Sequence, residues 1–251
     1  MGSPLARRPS MGIVVPVYCS GNYLREFHES LLSFLEGYTE NWEIIYVDDH
    51  STDSSWALLE EFAYESKNCK IIRLKENVGQ QMATFCALRH TTSDYVVTID
   101  DDGQYCPEYI SDLYEKMRQE SLDCVYGIPL IRSRRIIRRL GTWITDRSLT
   151  RITGKSTQLK VSSFRIMSRS LVERLRTCTS GRIYLSVEIL SRANSIGNFP
   201  MTLKHEERAS RYTLRRLLNA YLSVHRHQSS QISHRPRYVI EVSRNIDEEL
   251  V

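Results

Sequence analysis

Residues 94–104 read Asp94-Tyr95-Val96-Val97-Thr98-Ile99-Asp100-Asp101-Asp102-Gly103-Gln104. A short β-branched run that breaks into three carboxylates and a glycine is the pattern of a buried strand ending at a polar rim. Working outward, the same kind of run occurs at 12–18 (GIVVPVY), 42–49 (WEIIYVDD), 69–74 (CKIIRL) and 123–128 (DCVYGI). Helical spacing fills the gaps. Leu24, Phe27, Leu31, Phe34 and Leu35 recur on one helical face, Trp56, Leu59 and Ala63 mark another behind a Thr52 or Asp53 cap, and further helices are predicted from about Gly79 to His90 and after Pro107. Strands alternating with helices predict an α/β fold: a mostly parallel central sheet with helices on both faces. Ligands of such sheets bind beyond the carboxyl ends of the strands, where the acid triplet falls.

The second half is less regular. A basic helical stretch is predicted from about Ser133 to Thr153, a strand near Leu159–Ile166, helices near Leu171–Arg176 and Ile183–Arg192, and a strand near Ile196–Lys204. Leu214, Leu217, Leu218, Tyr221 and Leu222 mark an amphipathic helix, and no strong pattern follows His225. The economical organisation is a flexible lead-in over 1–10, one domain over 11–205, and an amphipathic helix with a tail over 206–251.

The 251 residues are 41% hydrophobic and 25% charged, a globular composition. Apolar runs never exceed four residues, far short of the roughly 20 a membrane-spanning helix needs. MGSPLARRPSMG has no apolar segment behind its arginines, so cytoplasmic residence is expected, with peripheral contact at the inner face of the membrane as an option. Six scattered cysteines without C-x-x-C spacing predict buried free thiols rather than a disulfide framework or zinc site. Residues 1–125 carry 10 Lys and Arg against 21 Asp and Glu, whereas 126–251 carry 24 against 9. An acidic half suits a divalent cation and an arginine-rich half suits phosphate, while the acidic half opposes nucleic acid. His28, His50 and His90 read as ordinary helix-surface or turn residues.

In an extended strand Asp100, Asp102 and approximately Gln104 share a face, and paired carboxylates of this kind suit Mn²⁺ or Mg²⁺. Capping of the next helix is the bland alternative. Asp48-Asp49 ends the second strand beside Pro16-Val17-Tyr18, where Tyr18 can stack on a base and an Asp can accept from base or ribose. No G-x-G-x-x-G follows the first strand and no P-loop occurs, which removes the main support for dehydrogenase and P-loop NTPase readings.

Taken in order, V-V-P-V-Y, Y-V-D-D-H-S-T-D, N-V-G-Q-Q-M-A and I-D-D-D-G-Q-Y-C-P-E resemble family 2 glycosyltransferases of the GT-A fold, over about Gly12 to Leu222. The branch that loads sugars onto polyprenyl phosphates is the most similar, through T-G-K (153–155), F-R-I-M-S-R (164–169) and H-E-E-R-A-S-R-Y-T (205–213). The resemblance implies a metal-dependent, inverting transfer from a nucleotide-diphosphate sugar, with UDP favoured over GDP. It implies metal ligation by Asp100, Asp102 and Gln104 and a nucleotide pocket of Pro16, Tyr18, Asp48, Asp49, Gln80 and Asp101. It also implies phosphate contacts from Arg132, Arg138, Arg165, Arg208 and Arg211, with Asp102, Arg138 and Arg165 nearest the chemistry.

Two departures stand out. Relatives carry an acidic residue in a D-x-G-like stretch before the Phe-Arg pair, where this chain has Leu159-Lys160-Val161-Ser162-Ser163, and the R-x-x-G-x-S-K-Y pattern is shortened to Arg208-Ala209-Ser210-Arg211-Tyr212. Arg132, Arg134, Arg135, Arg138 and Arg139 include i, i+4 neighbours that repel unless an anion faces them. The expected partners are a nucleotide-sugar donor and a lipid-phosphate or glycan acceptor. A sugar-hydroxyl acceptor, or a non-catalytic nucleotide-sugar-binding module, remain alternatives.

Overall fold

The computed structural model describes residues 9–130, 159–179, 183–203 and 238–246. Eight strands form one sheet: β1 (Met11–Val17), β2 (Trp42–Asp48), β3 (Cys69–Leu74), β4 (Tyr95–Thr98), β5 (Cys124–Pro129), β6 (Arg165–Ser168), β7 (Ile196–Met201) and β8 (Ile240–Arg244). Their order is β7-β5-β6-β4-β1-β2-β3-β8. β2–β1–β4, β2–β3 and β5–β7 pair parallel, whereas β6 runs antiparallel to β4 and β5, and β8 antiparallel to β3. Only β6 and β8 therefore oppose the common direction, and the predicted mostly parallel α/β sheet stands.

Among the described residues six helices cover it: α1 (Leu24–Tyr38), α2 (Ser55–Glu65), α3 (Gln80–His90), α4 (Tyr109–Gln119), α5 (Arg169–Arg176) and α6 (Leu185–Arg192). Alternation along the strands divides the core between two faces. Ile13, Val15, Ile44, Tyr46 and Ile71 meet Leu24, Leu31 and Leu35 of α1, Leu59 and Phe62 of α2, and Ile110 and Leu113 of α4. Val14, Ile45, Val47 and Ile72 meet Phe85 and Leu88 of α3, Leu171 and Leu175 of α5, and Ile189 of α6. Fully burying one such side chain is worth about 1.5–3 kcal/mol, so strands buried on both faces anchor the sheet.

Several sequence expectations need correction. β4 ends at Thr98, and Asp101 and Asp102 lie in a turn, so the triplet is not displayed by an extended strand. The strand expected at Leu159–Ile166 begins only at Arg165. α2 starts at Ser55, where Asp53 Oδ1 accepts the Ser55 N–H at 3.0 Å, so Asp53 supplies the capping interaction from outside the helix. The stretch after His225 contains β8, which joins the same sheet. His28 and His90 are buried rather than on helix surfaces; burial lowers both to about 4, with cationic neighbours adding to the shift. Four cysteines are buried as expected, but Cys19 is exposed and Cys106 is half-buried.

The amphipathic helix expected over Tyr212–Leu222, the basic stretch from about Ser133 to Thr153, and Arg132, Arg138, Arg208 and Arg211 lie outside the described residues. Among the described residues no helix is long and apolar enough to cross a membrane.

Candidate functional site

Strand register assembles the rim. Val17 pairs with Asp48 across β1–β2, Val14 with Thr98 across β1–β4, and Thr98 with Arg165 across β4–β6. Residues 16–20, 48–53 and 100–104, at the carboxyl ends of β1, β2 and β4, thereby meet residues 162–165 at the amino end of the antiparallel β6. Pro16, Tyr18, Asp48, Asp49, Gln80, Asp100, Asp101, Asp102, Gln104 and Arg165 all belong to this edge or the loops directly behind it. Tyr18 is 54% exposed just after β1, whereas Asp48 and Asp49 at the end of the neighbouring β2 are buried.

The acids are held rather than loose. Asp49 Oδ1 accepts from the Val78 N–H at 2.7 Å and Oδ2 from the Gly79 N–H at 2.8 Å. Gly79 has φ +92°, a left-handed conformation in which a side chain would be strained, and it releases the chain into α3. Asp48 accepts from the Ser51 N–H and lies 3.5 Å from Arg73 Nε. Burial raises the carboxyl groups of both Asp48 and Asp49.

The triplet is tied to three different elements. Gln80 Nε2 donates to Asp100 Oδ1 at 2.5 Å, Ser163 Oγ donates to Asp100 Oδ2 at 2.5 Å, and Ser20 Oγ donates to Asp101 Oδ2. Asp102 Oδ1 accepts the Gln104 N–H at 3.0 Å, closing a turn around Gly103 at φ +67°. Burial, then repulsion from Asp102, lifts Asp100 to about 6; burial and repulsion from both neighbours lift Asp101 to about 7. Such repulsion is what a cation relieves.

Arg165 is only 2% exposed, with its guanidinium 5.7 Å from the Tyr126 ring centre. Its Nη1 donates to Ser162 O and Ser186 Oγ, each at 3.4 Å. No carboxylate lies within ion-pair distance of it among the described residues, so its field falls on Asp100, which it pulls downward. Ser20 and Ser163 escaped the sequence reading. Ser163 was visible only as a departure in 159–163, and nothing marked Ser20.

Among the described residues no three His, Cys, Asp or Glu side chains form a group able to hold a metal. Asp100 and Asp102 supply two carboxylates, a donor set that suits Mg²⁺ or Mn²⁺ when phosphate oxygens and water complete the shell. The two carboxylates fit a metal whose remaining ligands come from outside the protein and do not form a closed protein cage among the described residues.

Sheet order, acid turn and exposed aromatic together define a GT-A chain. Residues 12–176 match the family described as Glycosyl transferase family 2, and the chain belongs to that family. Among similar proteins is the Undecaprenyl-phosphate 4-deoxy-4-formamido-L-arabinose transferase of Salmonella choleraesuis (strain SC-B67), 28% identical over 213 residues, covering 83% of this chain and 64% of the relative. The protein of that name from Serratia proteamaculans (strain 568) is 29% identical with the same coverage. The chain thus spans 64% of the length of these curated relatives. Glucosyl-3-phosphoglycerate synthase from Mycobacterium tuberculosis, solved with Mn²⁺, UDP and glucosyl-3-phosphoglycerate, has a TM-score of 0.63 at 19% identity, covering 94% of this chain and 90% of that one. S. aureus TarS 1-349 in complex with UDP-GlcNAc has a TM-score of 0.57 at 18% identity, covering 87% and 66%. These structural likenesses bear on the fold.

Proposed function

We propose that the chain transfers a sugar from a nucleotide-diphosphate sugar, UDP-linked in preference to GDP-linked, to a polyprenyl phosphate with inversion at the anomeric carbon. The observation that carries this reading is the acid turn 100–102, fastened to three elements beside the exposed Tyr18 at the carboxyl edge of the sheet. Family membership, the relatives' names and the UDP and Mn²⁺ bound to fold neighbours support it.

Tyr18 offers its ring to the base, and Asp48 and Asp49 line the pocket wall behind it. Asp100, Asp102 and Gln104 would hold Mn²⁺ or Mg²⁺, which when bound neutralises charge gathering on the departing diphosphate. Arg165 draws the Asp100 carboxyl group downward against the rise that burial causes, and adds positive potential near the phosphates. Arg132, Arg138, Arg208 and Arg211 are proposed to face the acceptor phosphate.

A phosphate acceptor is favoured over a hydroxyl by what two described carboxylates of the second half, Glu173 and Glu188, do. A hydroxyl nucleophile needs a positioned base, whereas a phosphate monoester with a second pKa of about 6 is already largely dianionic at pH 7. Glu188 is buried and bonded to Arg192 and Cys178, and Glu173 pairs with Arg169 and Arg176. Neither is a poised base. A polyprenyl acceptor places the reaction at a membrane surface, proposed here as the cytoplasmic face. Purified protein should transfer labelled sugar from UDP-sugars to a short polyprenyl phosphate only with Mn²⁺ or Mg²⁺, and Asp102→Asn should reduce turnover at least about 100-fold, the loss of roughly 2.7 kcal/mol of transition-state stabilisation. Transfer to a sugar hydroxyl alone, or full turnover by Asp102→Asn, would overturn the reading.

A further inference from the structure

Ser163 touches both ends of the Thr98–Asp100 segment. Its carbonyl accepts from Thr98 Oγ1 at 2.5 Å, and its own Oγ donates to Asp100 Oδ2 at 2.5 Å. The neighbouring Ser162 hydroxyl donates to Phe164 O at 2.7 Å, and Gly127 N donates to the same carbonyl at 2.9 Å, so the connection into β6 is itself fixed on the sheet. On the opposite side, Gln80 Nε2 holds Asp100 Oδ1 from the first residue of α3. One carboxylate is thus gripped through both oxygens by donors from two elements remote in sequence. A glycine or alanine at 163 would keep the carbonyl bond to Thr98 and lose the grip on Asp100.

We propose that Ser163, together with Gln80, is a positioning residue that sets the orientation of Asp100 before a divalent cation arrives. Two hydrogen bonds occupy two of the roughly four lone-pair sites of an ionised carboxylate and leave the others for a metal. A carboxylate so held does not surrender rotational freedom when it ligates, and partners of this kind typically govern metal affinity by 10–100-fold. The stretch 159–163, where an acidic residue is absent, thereby serves the donor side of the site through a hydroxyl. This inference rests on the proposed metal-dependent transfer and adds to it the residue that prepares the ligand.

Mn²⁺ binding measured by electron paramagnetic resonance, with and without UDP, tests it independently of turnover. Ser163→Ala should weaken Mn²⁺ binding about 10–100-fold, and Ser163→Thr, which retains the hydroxyl, should restore most of the affinity. In transfer assays the Ala variant should need correspondingly more Mn²⁺ for half-maximal rate and regain kcat once Mn²⁺ saturates, a rescue that a purely structural role would not give. Gln80→Leu, at the exposed start of α3, carries the same expectation whether or not Ser163→Ala folds well. Mn²⁺ affinity equal to wild type in both variants overturns the positioning role and leaves the transferase reading standing. A wild-type protein that binds no Mn²⁺ even with UDP overturns both.

Discussion

Asp49 spends both carboxylate oxygens on the backbone of Val78 and Gly79, so its first effect is on the loop that delivers Gln80 to Asp100. Asp49→Ala strands two partly buried N–H groups, each costing about 1–3 kcal/mol where water does not reach them. The expected outcome is a lower urea midpoint together with a donor KM raised about tenfold or more, since a charged hydrogen bond is worth roughly 1.5–3 kcal/mol and acts alike in ground and transition states. Urea titration and initial-rate kinetics check both; a stability loss with unchanged KM would confine Asp49 to a scaffolding role. At this scale the carboxylates were legible, because clustered charge at the end of an apolar run has few other homes. The hydroxyls were not. Ser163 and Ser20 matter through partners 63 and 81 residues away, and serine is too common in loops for its position to announce such a bond.

Among the elements, α1 shows what spacing revealed and what it concealed. Leu24, Leu31 and Leu35 occupy the buried face that their spacing predicts, and His28, four residues after Leu24, lies on that same face. Its imidazole stacks on Phe62 of α2 at 3.8 Å between ring centres, its Nδ1 meets the Tyr46 hydroxyl of β2 at 2.9 Å, and Arg25 is its cationic neighbour. With the folded value near 4 and the unfolded value near 6.5, the unfolded chain binds a proton that the folded chain refuses. This contribution to stability is complete above about pH 6.5 and fades as pH falls towards 4, amounting to roughly 2–3 kcal/mol between pH 7.5 and 4.5. The raised Asp100 and Asp101 act with the opposite sign, so the difference between proteins is the observable. His28→Gln should cost less stability at pH 4.5 than at pH 7.5 by about that margin in chemical denaturation, and a pH-independent cost would refute it. β4 is shorter than its sequence run predicts for a related local reason: the Asp102 bond to the Gln104 N–H and the left-handed Gly103 favour a turn over continued extension. β8 alternates Ile240 and Val242 with Glu241 and Ser243, but the run is only five residues long and none of it is buried, so its signal is weak.

Across the whole molecule, the four strands that build the rim come from local strand–helix units, while β8 arrives from the far end of the described chain to close the opposite border. It pairs with Ile71–Leu74, receives the Lys75 N–H at Val239 O, and is pinned by Arg244 to Glu60 and by Asn245 Nδ2 to the carbonyls of Ala63 and Cys69. β3 is apolar at most of its positions, and without β8 its hydrogen-bonding groups would face outward as a template for other chains. During synthesis β8 is the last described strand to emerge, so among the described residues no strand pairs with that border of β3 until translation has passed Arg244. A chain ending at Arg237 should retain the donor-site residues yet sediment as aggregates at micromolar concentration in analytical ultracentrifugation, where the full sequence does not. A monodisperse truncated protein would show that β3 is shielded by other means. Fragments made for crystallisation or expression should keep residues 238–246, which close a border of the sheet remote from the candidate site.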